Sequence, residues 1–344
     1  MIVREGLVEI EIERISTYRG PGQSEAGYYS LPMALTRDFT ILVLKQNFRE
    51  NFTALDMLGG TGIRGFRIEK EANGKVFIND VNKKNIEIIK KNRDMVGSDA
   101  TILNYDASKC MPGFYDYIDI DPYGSPIPFI DVSLKSIKNN GIIGITSTDN
   151  ANLAGTNPGT CLRKYHSIPI RNVYKHEIGT RILIKYFIER AAEYDFYSYP
   201  ILSIFGGYYY RIFFRLKKSR TMARKNLDYI MKMDLLNSFN SYGPVWYGNL
   251  HDPDTVKSIN IPYYFQNREK IENLLKIMRN ENIFLFYDME EISKKLKIDM
   301  LGIEKTIDLI ERYNGKASRT QFSFTGIKTK MTFKKLKEII MKNL

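Results

Sequence analysis

The chain is poor in cysteine, histidine and tryptophan, with two Cys, three His and one Trp in 344 residues. Cys110 and Cys161 are too few and too far apart for a disulfide framework or a four-cysteine zinc site. His166, His176 and His251 are equally scattered, so no stretch offers four ligands at local spacing and no structural metal is expected. No apolar run approaches the ~20 residues that a membrane helix requires. The opening Met1-Ile2-Val3-Arg4-Glu5-Gly6 lacks the basic-then-apolar layout of a signal peptide. Internal repeats and low-complexity tracts are also missing. These absences argue against a secreted disulfide scaffold and a membrane protein. The expectation is a cytoplasmic protein with no membrane contact and no obligatory protein partner.

Charge is what the chain has in excess. Hydrophobic residues make up 43% and charged residues 26%, as in a globular protein with real cores. The formal net charge is +12, and it is unevenly spread. From Lys217 to Leu344 there are 24 Lys/Arg against 15 Asp/Glu, which leaves only +3 for everything before. A basic segment joined to a near-neutral one suggests that one part holds a polyanion and the other does chemistry. The plainer reading is a solvated, lysine-rich surface. The run Lys217-Lys218-Ser219-Arg220 marks a composition change, and it divides the chain into residues 1–218 and 219–344. The length suits two domains.

From about residue 52 short apolar segments alternate with helix-compatible ones. Strands are expected at Ala54–Leu58, Val76–Asn79, Thr101–Asn104, Tyr117–Ile120 and Ile142–Thr146, with helices such as Lys83–Arg93 and Phe129–Lys138 between them. This alternation predicts an α/β fold with a parallel, doubly wound sheet. A long helix, His176–Glu193, and two strands split by Gly206-Gly207 follow. Five parallel strands closed by a hairpin is the layout of a class I, Rossmann-like methyltransferase sheet. Upstream, Leu31–Phe48 reads as a helix after a Gly20-Pro21-Gly22 turn. Downstream, residues 219–250 are weakly patterned. Helices are expected at Arg268–Asn280, Met289–Leu296, Glu304–Tyr313 and Phe333–Lys342, with a wing-like segment at Thr320–Thr329. This smaller α+β part resembles a winged helix-turn-helix.

The segment Asp56-Met57-Leu58-Gly59-Gly60-Thr61-Gly62-Ile63-Arg64-Gly65 follows a strand and opens a helix. Its Gly60-x-Gly62-x-x-Gly65 spacing lets backbone approach a ligand, and Asp80, closing the next strand, can hold ribose hydroxyls. A dinucleotide and S-adenosylmethionine share that geometry. Two features favour methyl transfer: Asp106-Ala107 after the third strand and Asp121-Pro122-Tyr123-Gly124 after the fourth. The acids Asp56, Asp80, Asp106 and Asp121 stand at successive strand ends, where ligands bind in such sheets.

The Asp121-Pro122-Tyr123 turn suits an exocyclic amine as acceptor. A guanine N2 lone pair is delocalised into the ring, so orientation and acceptors for its hydrogens matter most. Asp121 supplies a carboxylate. Pro122 has no N–H to donate, and a rigid turn can aim a carbonyl at the same amine. Tyr123 can stack on a purine.

Several motifs in order carry a closer likeness: Leu35-Thr36-Arg37-Asp38, Gly60-Thr61-Gly62-Ile63-Arg64, Asp119-Ile120-Asp121-Pro122-Tyr123-Gly124-Ser125-Pro126, Thr148-Asp149, Cys161-Leu162-Arg163-Lys164-Tyr165 and His176-Glu177-Ile178-Gly179-Thr180-Arg181. Gly243-Pro244-Val245-Trp246 and Ser318-Arg319-Thr320-Gln321-Phe322 continue the series. The chain resembles the tRNA guanine-26 N2-dimethyltransferases of archaeal type over nearly its whole length. The resemblance implies transfer of methyl groups from S-adenosylmethionine to a guanine in tRNA, giving N2-methyl- and N2,N2-dimethylguanosine. It implies that Arg37 and Arg64 contact the cofactor, that Asp80 takes the ribose and that Asp106 with Ala107 takes the adenine. It sets Tyr28 opposite Tyr123 across the target base. Ser30-Leu31 stand where the family has Asn-Pro, and Thr36 where it has Asn. Residues 219–250 lack the cysteines of the zinc module that many members carry. On residues alone, His176 and Glu177 read as helix capping and packing, and Tyr208-Tyr209-Tyr210 as strand packing. The alternatives at this point are an NAD-linked oxidoreductase and a non-catalytic RNA-binding module on the same fold.

Overall fold

Short β-branched runs flanked by amphipathic stretches build the centre of the molecule. The structure is a computed structural model that describes residues 1–17, 26–234 and 241–343. The Gly20-Pro21-Gly22 turn lies outside the described residues. Seven strands form the main sheet: β1 (Thr53–Asp56), β2 (Lys75–Asn79), β3 (Thr101–Leu103), β4 (Tyr115–Ile120), β5 (Ile137–Ser147), β6 (Phe196–Phe205) and β7 (Tyr210–Lys218). Their order is β6-β7-β5-β4-β1-β2-β3. Strands β1 to β5 are parallel, and β7 runs antiparallel between β5 and β6. This is the expected class I methyltransferase sheet. The strand order reverses at β1, which pairs with both β2 and β4, and a ligand crevice opens beyond the carboxyl ends at such a point.

Side chains alternate across the sheet as the pleat demands. Ile118 and Ile143 enter one core, whereas Tyr117 and Ile142 enter the other. Helices cover both faces: α1 (Ala34–Asn47), α2 (Ile63–Ala72), α3 (Lys83–Val96), α4 (Ile127–Ser136) and α5 (Lys175–Glu193). Helix α4 begins earlier than its pattern suggests, because Pro128 is tolerated in a first turn. It also ends earlier, because Ile137 already pairs with Tyr115 as the start of β5.

The weakly patterned stretch after Lys218 does not leave this body. Tyr242, Val245, Trp246 and Leu250 complete the first core, and Val256, Phe265, Ile271, Leu275 and Met278 complete the second. A third core begins only at Met289 and closes with Ile340. It is built from helices Met289–Leu296, Ile303–Arg312 and Phe333–Lys342 around the hairpin Ala317–Thr320/Ser323–Thr329. Tyr287–Asp288 adds a third strand to that hairpin.

Buried charges join these parts. Glu177 on α5 accepts from Arg181 Nε at 2.9 Å, Leu285 N at 3.0 Å and Lys328 Nζ at 2.6 Å. Glu281 accepts from Thr320 Oγ1 at 2.6 Å and Gln321 N at 2.8 Å, and lies 3.2 Å from His251 Nε2. Glu177 therefore does more than the capping its position at the head of α5 suggests. His176 stacks on Phe205 at 4.2 Å between centroids, and burial with Lys175 beside it pushes its imidazole down to about 4.

A second buried cluster fixes the N-terminal hairpin Ile2–Glu5/Val8–Glu11. Glu5 receives Arg37 Nη2 at 2.6 Å, Arg67 Nη1 at 2.7 Å and the Tyr29 hydroxyl at 2.6 Å. Burial alone would raise the Glu5 carboxyl, but Arg37 and Arg67 outweigh it and hold it down to about 2. Its folded pKa is below the unfolded one, so its contribution is present above about pH 4.5 and lost as pH falls. Glu5→Gln should cost roughly 3–5 kcal/mol at neutral pH by leaving two buried guanidinium groups short of a partner. In urea titrations the gap to wild type should narrow at about pH 3. An equal gap at both pH values would show that the Glu5 charge is not what stabilises the hairpin.

Candidate active site

The crevice beyond β1 and β4 holds a cavity of about 570 Å³, a size that takes a nucleotide-like ligand. Nine of the twelve residues singled out by sequence line it: Tyr28, Arg37, Asp56, Gly60, Arg64, Asp80, Asp121, Pro122 and Tyr123. Gly62, Asp106 and Ala107 do not. Gly62 caps α2 with φ +83°, a conformation that favours glycine. Asp106 is partly exposed, bonded to Ser108 and Lys109, and Ala107 is buried in the first core. The loop that carries them is tied to the end of β2, because Asn79 Nδ2 donates to Tyr105 O at 3.1 Å and Asn104 Nδ2 to Asp80 O at 2.7 Å.

The glycine loop presents backbone to the cavity. Gly60 has φ +57°, and no atom lies within 4 Å of where its Cβ would stand. A side chain there would fill the cradle. Gly60 N donates to Asp80 Oδ2 at 2.9 Å, and Asn85 Nδ2 does so at 3.0 Å, while Asn82 N donates to Oδ1 at 2.8 Å. A carboxylate offers about four acceptor sites, so Asp80 is oriented by protein and keeps capacity for a ligand hydroxyl. The donor set therefore fits an adenosine-bearing cofactor.

Below the loop, three carboxylates share two guanidinium groups. Arg64 Nε lies 3.3 Å from Asp119 Oδ1, its Nη1 donates to Thr40 Oγ1 at 2.9 Å, and its Nη2 is paired with Asp121 Oδ2. Arg211, fully buried on β7, pairs with both oxygens of Asp119, with Nη1 3.0 Å from Oδ1, and Tyr117 donates to the same carboxylate. Burial would raise Asp119, but Arg211 and Arg64 reverse that and keep it below the usual carboxylate range. Asp56 fares differently. It accepts from Gly65 N at 3.2 Å, and burial, with Asp119 and Asp121 nearby, pushes it up to about 7 despite Arg64.

The Asp121 turn is braced from β5. Gly124 N donates to Thr148 Oγ1 at 2.8 Å, and Thr148 N to Gly124 O at 2.9 Å. Tyr165 links Ser125, at 2.8 Å, to Asp149, at 3.0 Å, so Asp149 and Tyr165 help to hold the turn. Tyr28 and Tyr123 face each other edge-on with centroids 6.0 Å apart. Tyr123 is half exposed.

Motif reading missed two parts of this site. Tyr208 lines the cavity beside Ser30, whereas Tyr209 and Tyr210 are both packed inside, Tyr209 in the turn and Tyr210 at the start of β7. Arg211 went unnoticed, although an arginine within Tyr210-Arg211-Ile212-Phe213-Phe214 is a charge in an apolar strand and calls for a buried partner. Arg37 is paired with Glu5 and Ser30 O, not with the neighbouring Asp38, so any ligand contact shares a guanidinium already held through Nε and Nη2. Among the described residues, no group of three or more His, Cys, Asp or Glu is placed to hold a metal.

The chain matches the sequence model of the family described as N2,N2-dimethylguanosine tRNA methyltransferase over residues 6–237 and 230–341. The chain belongs to this family. It is 36% identical to the tRNA (guanine(26)-N(2))-dimethyltransferase of Thermoplasma acidophilum, across 100% of this chain and 98% of that protein. With the enzyme of the same description from Pyrococcus abyssi it shares 35% identity over 88% of this chain and 89% of that one. The solved complex of Trm1 from Pyrococcus horikoshii with S-adenosyl-L-methionine superposes with a TM-score of 0.84 at 31% identity, covering 98% and 99% of the two chains.

Asp56 binds its proton more tightly folded than unfolded, so its ionisation weakens the fold. That loss develops as pH rises from about 4 to about 7. In this family member without cofactor, the melting temperature of Asp56→Asn relative to wild type should climb through that window and then level off. A difference that stays constant with pH, followed by calorimetry, would contradict the burial account of Asp56.

Proposed function

We propose that this family member transfers methyl groups from S-adenosylmethionine to the exocyclic N2 of guanine 26 in tRNA, giving N2-methyl- and then N2,N2-dimethylguanosine. The observation that carries the reading is the Asp121-Pro122-Tyr123 turn, which with Tyr28 lines the same cavity as the Gly60 to Asp80 cofactor cradle. When bound, S-adenosylmethionine supplies a methyl group attached to a sulfonium. Asp80 holds the ribose, the loop with Asp106 and Ala107 borders the adenine, and Arg37 and Arg64 meet the carboxylate end. Asp56 and Gly60 complete the cradle, while Gly62 sets the start of α2.

The residues of this chain then act on the guanine. Tyr28 and Tyr123 grip the base faces and exclude water. Asp121 accepts hydrogen bonds from the N2 amine and turns its lone pair toward the methyl carbon. Its charge also offsets the positive charge that appears on nitrogen during transfer, which lowers the barrier more than it aids binding. The Pro122 turn directs a carbonyl at the same amine. Arg64, held by Asp119 and Thr40, sets the position of the Asp121 carboxylate. The basic part of the chain after residue 218 grips tRNA phosphates, with the compact unit from Met289 onward as its most separable piece. Its place of action is the cytoplasm. No helix among the described residues is long and apolar enough to cross a membrane.

Three measurements test this. Incubation with methyl-labelled S-adenosylmethionine and unmodified tRNA, followed by nucleoside mapping, should place label in N2-methylated guanosine at position 26. Label in another nucleoside would overturn the assignment. In single turnover, Asp121→Asn should slow transfer by roughly 10²-fold, as for loss of one preorganised electrostatic group, with affinity for S-adenosylhomocysteine little changed. Near-normal transfer by Asp121→Ala would remove Asp121 from the mechanism. Binding to tRNA should weaken steeply with salt, because phosphate neutralisation releases counterions.

A further inference from the structure

Phe324 is 96% exposed, although a phenylalanine ring is ordinarily worth burying. The residues around it are anything but loose. Thr320 Oγ1 donates to Glu281 at 2.6 Å, and Phe205 N donates to Gln321 Oε1 at 2.7 Å. The Phe322 ring packs 6.2 Å from that of Phe205. The two hydroxyls that flank the exposed ring, Ser323 Oγ and Thr325 Oγ1, both donate to Asp288 Oδ2, at 3.0 and 2.8 Å. The hairpin is pinned on both sides of Phe324, and the ring itself stands in solvent.

The pinning also fixes where the ring stands. Phe205 ends β6 and pairs with Tyr210, which in turn pairs with Ser147 at the end of β5. Phe322 therefore docks at the carboxyl edge of the sheet, the edge on which the cavity opens. Tyr208, in the same turn as Phe205, is part of the cavity wall. Two further residues of chain carry Phe324 no more than about 7 Å beyond Phe322.

We propose that Phe324 stacks on a nucleobase of the bound tRNA next to the target guanine. This role rests on the reading of the chain as a tRNA methyltransferase. Drawing a guanine out of its stack leaves neighbouring bases with an uncovered face. An aromatic ring on a pinned hairpin, at the same edge of the sheet as the cavity, supplies the replacement surface, and it does so for any base, since every base has a π-face. The unit that carries the ring has 13 Lys/Arg against 8 Asp/Glu from Tyr287 to Leu344, a charge suited to the phosphates on either side of that base.

The test uses the full-length protein and an unmodified tRNA transcript. Phe324→Ala should raise the tRNA KM roughly tenfold, as for the loss of one stacked base. The melting temperature, the affinity for S-adenosylhomocysteine and the single-turnover rate at saturating tRNA should not change. The salt dependence of tRNA binding should keep its slope, because no charge is removed, and Phe324→Trp should restore the KM. An unchanged KM in Phe324→Ala beside an active wild type overturns the stacking role alone. A wild type that methylates no tRNA overturns the function and the role together. Conversion of a dimer to a monomer by Phe324→Ala would assign the ring to a second copy of the chain and overturn the role as well.

Discussion

The chemistry of this cavity depends on how one guanidinium is shared. Asp56, Asp119 and Asp121 crowd the carboxyl ends of β1 and β4, and carboxylates so close cannot all stay charged without cations among them. Arg64 stands between Asp119 and Asp121, and Arg211 supports Asp119 from behind. Asp56 is raised to about 7, first by its burial and then by the two neighbouring carboxylates, which Arg64 offsets only in part. The glycine loop is part of the same arrangement. By closing its turn at Gly62 it starts α2 at Ile63, which places Arg64 in the first turn, over the strand ends. Thr40 on α1 then orients the guanidinium. The glycine loop and the Asp121 carboxylate are thus linked through one side chain.

Around this centre the fold relies on buried ion pairs to join elements that hydrophobic contact alone would leave free to slide. Glu5 ties the N-terminal hairpin to α1 and α2 through Arg37 and Arg67. Glu177 ties α5 to the C-terminal unit through Lys328. Such pairs add little net stability over apolar replacements, but breaking one leaves a stranded charge, so they hold one geometry against others. Their consequence for function is positional. The hairpin that carries Gln321 and Phe322 is held against β6, next to the turn that brings Tyr208 into the cavity wall.

Much of the site was legible in the sequence because its signals are local. Asp80 follows its strand directly, the glycine spacing falls in one turn, and Asp121-Pro122-Tyr123 is a continuous turn. The strand and helix pattern placed all of them at one edge. What escaped detection depends on distant partners. The Arg37 partner Glu5 lies 32 residues away, and Lys328 is 151 residues from Glu177. Periodicity cannot report such pairs. The weak pattern of residues 219–250 has a related cause. The described residues of that stretch supply single anchors such as Trp246 and Leu250 to a core built elsewhere. Tyr208 was hidden by its neighbours, since two packed tyrosines follow it in the same run.

Arg64 and Asp121 are expected to act as one unit. A double-mutant cycle on single-turnover methyl transfer, at saturating S-adenosylmethionine and tRNA, measures that directly. Arg64→Lys keeps the charge but cannot reach Asp119, Thr40 and Asp121 together. If Arg64 works by positioning Asp121, then Arg64→Lys combined with Asp121→Asn should be scarcely slower than Asp121→Asn alone. Rate losses that multiply in the double variant would mean that the two residues act independently, and would contradict the shared-guanidinium account.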